Sequence, residues 1–228
     1  MGIGGLIIGK SGAGKSASLR NFKNGEVGIF NTTSKPLPFK NDLQVADNAD
    51  YMLIEATLAS NKLNCYVVDD SVYLMAFESF ARANEKGFDK FTQMSKNYAD
   101  LLEQIRHTSK DTIVYVITHE ELQDDGSIKP KSIGKMLDRQ LCLEGLFSIC
   151  LYAKFSDGKY VFETQTDGNT PAKSPMGMFD DFTIDNNLKE VDTVIRKYYD
   201  LAPAGKNDTL SQKGNVKMEK ENEKKEGK

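Results

Sequence analysis

Gly9-Lys10-Ser11-Gly12-Ala13-Gly14-Lys15-Ser16 is the stretch that decides the fold. It has the form G-x-x-x-x-G-K-[ST], the spacing of a phosphate-binding loop, and its flanks suit that reading. Leu6-Ile7-Ile8 before it reads as a short buried strand, and Ser16-Ala17-Ser18-Leu19-Arg20-Asn21-Phe22 after it can start a helix. Strand, glycine-rich turn and helix form the context in which the motif carries meaning. Glycines let the backbone wrap a phosphate and turn its N–H groups inward, and a helix N-terminus adds partial positive charge at the same point. On this reading the residues from Gly9 to Ala17 hold a nucleotide, Lys15 reaches its β- and γ-phosphates, and the Ser16 hydroxyl binds Mg²⁺. The alternative is a glycine-rich turn that spells the motif by chance, and the flanking strand and helix count against it.

A second half of such a site is visible downstream. Cys65-Tyr66-Val67-Val68-Asp69-Asp70 is an apolar run ending in two carboxylates, the form of a Walker B strand. Asp69 at its end would hold Mg²⁺, through a water. Asp70 either polarises an attacking water or caps the helix that begins near Ser71. The β-branched run 111–118 reads as a further strand and ends in Thr118-His119-Glu120-Glu121. P-loop enzymes place a γ-phosphate sensor at such a strand tip, so Thr118 and His119 are candidates; a solvent-facing histidine is the other reading.

Composition bounds the rest. The chain has 228 residues, 39% of them hydrophobic, which suits one α/β domain plus a tail. No run approaches the ~20 apolar residues of a membrane span. No basic segment precedes an apolar one, so no signal peptide is expected and a cytoplasmic location follows. A net charge of −3 gives no global footprint for nucleic acid, so any such contact must be local. The three cysteines, Cys65, Cys142 and Cys150, all lie in apolar sequence and read as core thiols in a reducing compartment. Two histidines are too few to complete a zinc site with them.

Between the motifs, 26–31 reads as a second strand running into Thr32-Thr33-Ser34-Lys35-Pro36-Leu37-Pro38-Phe39, a loop at a strand end where α/β proteins place ligand contacts. Residues 50–61 are loosely helical, and helices follow over 72–81 and 88–105. The aromatic stripe they carry reads as core packing, with a base-stacking platform as the alternative. Glu120 to Lys135 reads as a polar loop, then a helix through Met136–Leu141 and a strand over 146–153. Ser156-Asp157-Gly158-Lys159 is a hairpin turn, with 160–164 pairing back antiparallel. Residues 184–201 read as a last helix. The expectation is therefore a domain over 1–201 and a charged, disordered tail over 202–228, where Lys and Glu alternate.

Taken in order, the glycine loop, the segment Asn31 to Phe39, Tyr66 to Asp70, Thr118-His119-Glu120, and Lys129-Pro130-Lys131 through Leu137 resemble the bacteriophage RecA-like P-loop ATPases of the Sak type. The likeness runs from Leu6 to Lys173. It implies a RecA-like P-loop NTPase core of the α/β class, a mainly parallel sheet flanked by helices with a C-terminal antiparallel hairpin. It also implies ATP and Mg²⁺ as cofactors and a homo-oligomer in which a neighbour completes the site. The residues that would reach across from that neighbour are Lys173 and, second to it, Arg139. Lys129, Lys131 and Lys135 would meet single-stranded DNA, and their acidic surroundings equally allow a plain charged loop. Where RecA-like enzymes carry a catalytic Glu, at the end of the second strand, this chain has Asn31, Thr32 and Thr33; Asp70 or Glu120 would then activate the water, or turnover is slow.

Three functions remain in competition. The first is a phage DNA recombination or single-strand annealing ATPase. The second is a nucleotide-dependent switch or helicase-loader-like ATPase acting on a phage or host replication protein. The third is a small-molecule kinase, which lacks an arginine-rich lid here because Arg20, Arg82, Arg106, Arg139 and Arg196 are scattered singly.

Overall fold

Period-two alternation builds the centre of the molecule. In the computed structural model, which describes residues 1–133 and 141–206, strand β1 (Ile3–Gly9) sends Leu6 and Ile8 to one face and Ile7 to the other, and all three are buried. Strands β4 (Cys65–Asp69) and β5 (Ile113–Leu122) do the same with Tyr66, Val68, Val114 and Val116 against Cys65, Val67, Tyr115 and Ile117. Both faces of these strands are therefore covered, as continuous apolar runs in parallel sheets require. With β2 (Gly28–Asn31), β3 (Gln44–Asp47) and β7 (Ile149–Ser156) they form a parallel sheet in the order β3-β2-β4-β5-β1-β7. Beyond β7 the sheet turns antiparallel through β8 (Lys159–Glu163) and β9 (Thr183–Asp185).

One face carries three helices, α1 (Tyr51–Ser60), α2 (Val72–Ala81) and α3 (Asp89–Arg106), with Ile54, Leu58, Leu74, Met75, Tyr98, Leu101 and Ile105 in its core. Asp50 caps α1 by accepting from the Leu53 amide, and Asn61 ends it in the left-handed conformation. The other face is covered by α4 (Leu188–Tyr198) through Leu188, Val191 and Ile195, and by a 3₁₀ turn at Ser16–Asn21 through Leu19. The result is a mixed α/β fold with a mostly parallel central sheet flanked by helices, closed at one edge by the hairpin expected around Asp157-Gly158.

Several local expectations need correction. The segment after the glycine loop is six residues of 3₁₀ helix rather than an α-helix, so it brings no appreciable macrodipole to the loop. Residues 120–131 are not a loop: β5 continues to Leu122 and pairs with β6 (Ile128–Pro130) around a turn at Gly126. The last helix spans 188–198 rather than 184–201: 184–185 belong to β9, Asn187 caps the helix by accepting from the Glu190 amide, and the helix ends at Tyr198. In the aromatic stripe Met94 and Tyr98 are buried, whereas Phe77, Phe80, Phe88 and Phe91 are exposed. Cys65 and Cys150 are core thiols, but Cys142 is exposed. The helix expected over 136–141 lies almost wholly outside the described residues.

At the end of the sheet away from the glycine loop, a buried ion pair ties the chain together. Arg196 Nε donates to Asp192 Oδ2 at 2.7 Å, and its other nitrogens donate to the carbonyls of Asn64, Asp111 and Ala202 at 2.7–2.9 Å. Asp192 Oδ1 accepts from the Tyr115 hydroxyl at 3.1 Å. Residues 202–206 still belong to the domain, since Gly205 exchanges hydrogen bonds with Asn64 and Lys206 bridges to Leu63. The rest of the expected tail, 207–228, lies outside the described residues. Removing one partner of a buried, hydrogen-bonded pair leaves an uncompensated charge. Arg196→Met should therefore lower the unfolding free energy by about 3–5 kcal/mol in urea titrations; a loss below ~1 kcal/mol would show that the network carries little stability.

Candidate functional site

The strand order decides which tips meet. With β5 between β1 and β4, the ends of β1, β2, β4 and β5 open onto one cleft of about 290 Å³. Its walls include Gly12, Gly14, Lys15, Ser16 and Ala17 from the glycine loop, Asp69 and Asp70 from β4, His119 from β5 and Asn31 from β2. The loop Lys35-Pro36-Leu37-Pro38 lines it too, as expected for that strand-end segment.

The glycines of the loop are fitted to their places. Gly14 has φ +86°, and a Cβ there would come within 2.8 Å of the Tyr160 ring. At Gly9 a Cβ would meet the Ala153 carbonyl at 2.4 Å, so β7 can approach only a glycine. Lys15 is 6% exposed rather than on the surface, and its ammonium donates to the carbonyls of Gly9 and Lys10 at 2.8 Å. Burial lowers its pKa, while the charges of Asp70, Asp69 and Glu120 work in the opposite direction.

Two carboxylates divide the floor of the cleft. The Ser16 hydroxyl donates to Asp69 Oδ1 at 3.0 Å, which joins the two residues read from the sequence as metal ligands. Asp69 is pushed up to about 6, by burial first and by the neighbouring Asp70 charge second. Asp70 behaves oppositely. Burial would raise it, but His119, Lys35 and Lys15 outweigh that and hold it below the usual carboxylate range. His119 Nε2 lies 3.3 Å from Asp70 Oδ1, off the line of a hydrogen bond, and Lys35 Nζ lies 3.4 Å from Oδ2. Asp70 itself sits at φ +58°, a conformation that Asp tolerates better than most residues. The Thr32 hydroxyl at 3.0 Å from the carbonyls of both Asp69 and Asp70, and the Ser71 amide donating to Ile117, hold the turn in place.

Asn31 lines the cleft but is already committed, donating through Nδ2 to the Lys35 carbonyl and to Asp47. Glu120 is half-buried within β5, across from Pro130 of β6, and it is Asp70, not Glu120, that lines the cleft. Thr118 is buried and does not line it. Lys173 forms a backbone bridge with Cys150, whose partner on β1 is Leu6, and is not among the cleft residues of its own chain. Lys129 and Lys131 are exposed on or beside β6, with Lys129 paired across from Glu121. Lys135 and Arg139 lie outside the described residues. Tyr160, half-exposed and stacked edge-on with Phe155 at 5.0 Å, is a cleft residue that the sequence marks only as a hairpin strand.

Among the described residues, no group of three or more His, Cys, Asp or Glu side chains could hold a metal by itself. A hard divalent cation at Ser16 and Asp69 would complete its shell with phosphate oxygens and water, which is how Mg²⁺ is commonly bound. No helix among the described residues is long and apolar enough to cross a membrane. No protein-family model matches the chain, and no curated protein matches it.

The pKa of Asp69 sets a measurable sign. A carboxyl raised from 3.8 to about 6 binds a proton more readily folded than unfolded, so its ionised form opposes folding at pH 7. Asp69→Asn should therefore stabilise the ligand-free protein at pH 7 by up to ~3 kcal/mol. The gain should shrink as the pH falls from about 6 towards 4, where the wild-type carboxyl takes up its proton. Melting curves across that range would show it; equal stability of the two proteins at pH 7 would mean the ionised carboxylate is not penalised.

Proposed function

We propose that the chain binds Mg-ATP and hydrolyses it slowly, on a RecA-like P-loop core. The observation that carries this reading is the convergence of the glycine loop, the Ser16–Asp69 pair and the Asp70–His119 pair on one cleft at the strand ends. Open α/β sheets place ligands in such crevices. Lys15 would exchange the Gly9 and Lys10 carbonyls for the β- and γ-phosphates, a trade that suits a buried ammonium held only by neutral acceptors. Mg²⁺ supplies neutralisation of the phosphate charge. Ser16 and Asp69 would hold it, and the ionised form of Asp69 would be favoured beside the cation. Asp70, kept ionised, orients the attacking water, and His119 steadies that carboxylate. Positioning and electrostatics carry phosphoryl transfer, so no covalent nucleophile is required.

The biological setting we infer is that of the Sak-type phage ATPases: cytoplasmic, homo-oligomeric and engaged in DNA recombination or annealing. The β5–β6 hairpin would offer Lys129 and Lys131 to single-stranded DNA. A protein partner, as for a helicase loader, is the second reading. The pairing of Lys129 across from Glu121, with Asp125 close by, favours it by weakening the local positive field.

Lys15→Ala should weaken Mg-ATP binding about 100-fold, the ~3 kcal/mol expected for one lysine bonded to two phosphates. Calorimetric titration checks this, and unchanged affinity would overturn the phosphate-loop assignment. ATPase rates with and without single-stranded DNA, at two salt concentrations, separate the two settings. Salt-sensitive stimulation by DNA supports recombination, and a rate indifferent to DNA supports the partner protein.

If a neighbour supplies Lys173, its charge in trans can be worth ~10³–10⁵ in rate. Lys173→Ala should then bind ATP normally, turn it over poorly, and regain activity when mixed with Lys15→Ala. Activity that is independent of concentration, with no rescue on mixing, would place the whole site in one chain.

A further inference from the structure

Lys35 is tied down at its root and free at its tip. Its carbonyl accepts from Asn31 Nδ2 at 2.8 Å, and the same nitrogen donates to Asp47 Oδ1 at 2.7 Å. The preceding Ser34 accepts from the Asn48 amide at 2.8 Å, and the following Pro36 fixes the backbone φ. β2 and β3 therefore hold the lysine's backbone in place. The side chain is 64% exposed, and its ammonium reaches over the cleft to Asp70 Oδ2 at 3.4 Å, with the Tyr73 ring centroid 5.5 Å away. A contact that long, open to water on one side, exchanges easily for a better anion.

The neighbours of Asp70 say which anion. Ser16 and Asp69 mark the metal end, and Lys15 the loop where the β- and γ-phosphates bind on the reading proposed above. Asp70, the acid whose charge acts most strongly on Lys15, lies 3.3 Å from His119 Nε2 and 3.4 Å from Lys35 Nζ. On that reading a triphosphate would bring its terminal group, shared with Lys15, towards Asp70 and Lys35, and a diphosphate would lack that group. We propose, resting on the nucleotide reading of the cleft, that Lys35 is a γ-phosphate sensor acting within one chain. It leaves Asp70 for the terminal phosphate, and the Asp70 oxygen it releases becomes free to orient water. The empty and diphosphate forms keep the Lys35–Asp70 pair closed; only the triphosphate opens it. The chain thereby distinguishes ATP from ADP with a lysine, no arginine being among the described residues that line the cleft.

Calorimetric titration of the full chain with Mg-ADP and with a non-hydrolysable Mg-ATP analogue tests this. Lys35→Ala should bind the triphosphate about tenfold more weakly, about 1.4 kcal/mol, and the diphosphate within about twofold of wild type. Asp70→Asn removes the competing charge and should tighten triphosphate binding. Equal losses for the two nucleotides in Lys35→Ala, no loss for either, or weaker triphosphate binding in Asp70→Asn would each overturn the sensor role. Those results leave the nucleotide site standing as long as the wild type binds both ligands and Lys15→Ala weakens both. A wild type that binds neither would overturn the nucleotide site, and the sensor with it.

Discussion

The placement of β5 between β1 and β4 is the constraint on which the rest of the site depends. Adjacent strands lie ~4.8 Å apart, so the tips of β1 and β4 stand roughly 10 Å apart at the sheet edge. The cleft opens across that span. The glycine loop leaves β1 and bends across it until Ser16 reaches Asp69, and His119, on the intervening strand, approaches Asp70. Were β1 and β4 direct neighbours, the loop and the acids would crowd one another and the histidine would stand elsewhere. The full burial of β4 and the near-full burial of β1 keep this order from slipping, since a one-residue shift would send Tyr66 and Val68 to the wrong core.

Within the cleft the two adjacent carboxylates are set apart by their surroundings. Asp69 ends a buried strand, where burial and the Asp70 charge outweigh the Ser16 hydroxyl and Lys15, so its charge is held at a cost. Asp70 turns through a left-handed conformation towards His119, Lys35 and Lys15, and its charge is favoured. Neighbouring acids driven in opposite directions are a familiar mark of divided labour in active sites. Thr32 joins them physically, since its hydroxyl lies against both carbonyls and ties the end of β2 to the turn.

How much of this the sequence disclosed depends on whether a feature is local. The glycine loop, the apolar run ending at Asp69 and the Asp157-Gly158 hairpin each carry their signal within a few residues, and the structure has them. The short edge strands Gln44–Asp47 and Thr183–Asp185 could not be read, because runs of three or four residues show no period and exist by pairing with a neighbour. The extension of β5 to Leu122 is hidden for the same reason: Glu120 and Glu121 look like loop until β6 pairs with them. The 3₁₀ turn after Ser16 had the composition of an α-helix, and tertiary context overrode that propensity, with Arg20 reaching the carbonyls of Ala17 and Asn186. Tyr160 carries no motif at all, and Lys35 is legible only as one residue of the strand-end loop where ligand contacts were expected. They belong to the cleft only because a hairpin and a proline-flanked loop happen to close on it.

The buried ion pair at the opposite end of the sheet bears on how the molecule is made. Arg196 satisfies the carbonyl of Asn64, laid down 132 residues earlier, and that of Asp111, 85 residues earlier. A chain growing from its N-terminus therefore presents β4 and β5 before it has the helix that covers their lower face. Until then Cys65, Val67 and Tyr115 have no α4 over them, and the carbonyls of Asn64 and Asp111 are without the Arg196 guanidinium. Closing such distant contacts is slow. The nascent protein thus carries its most apolar strands uncovered through much of its synthesis, and that interval, rather than the finished fold, is when it most needs shielding from its neighbours.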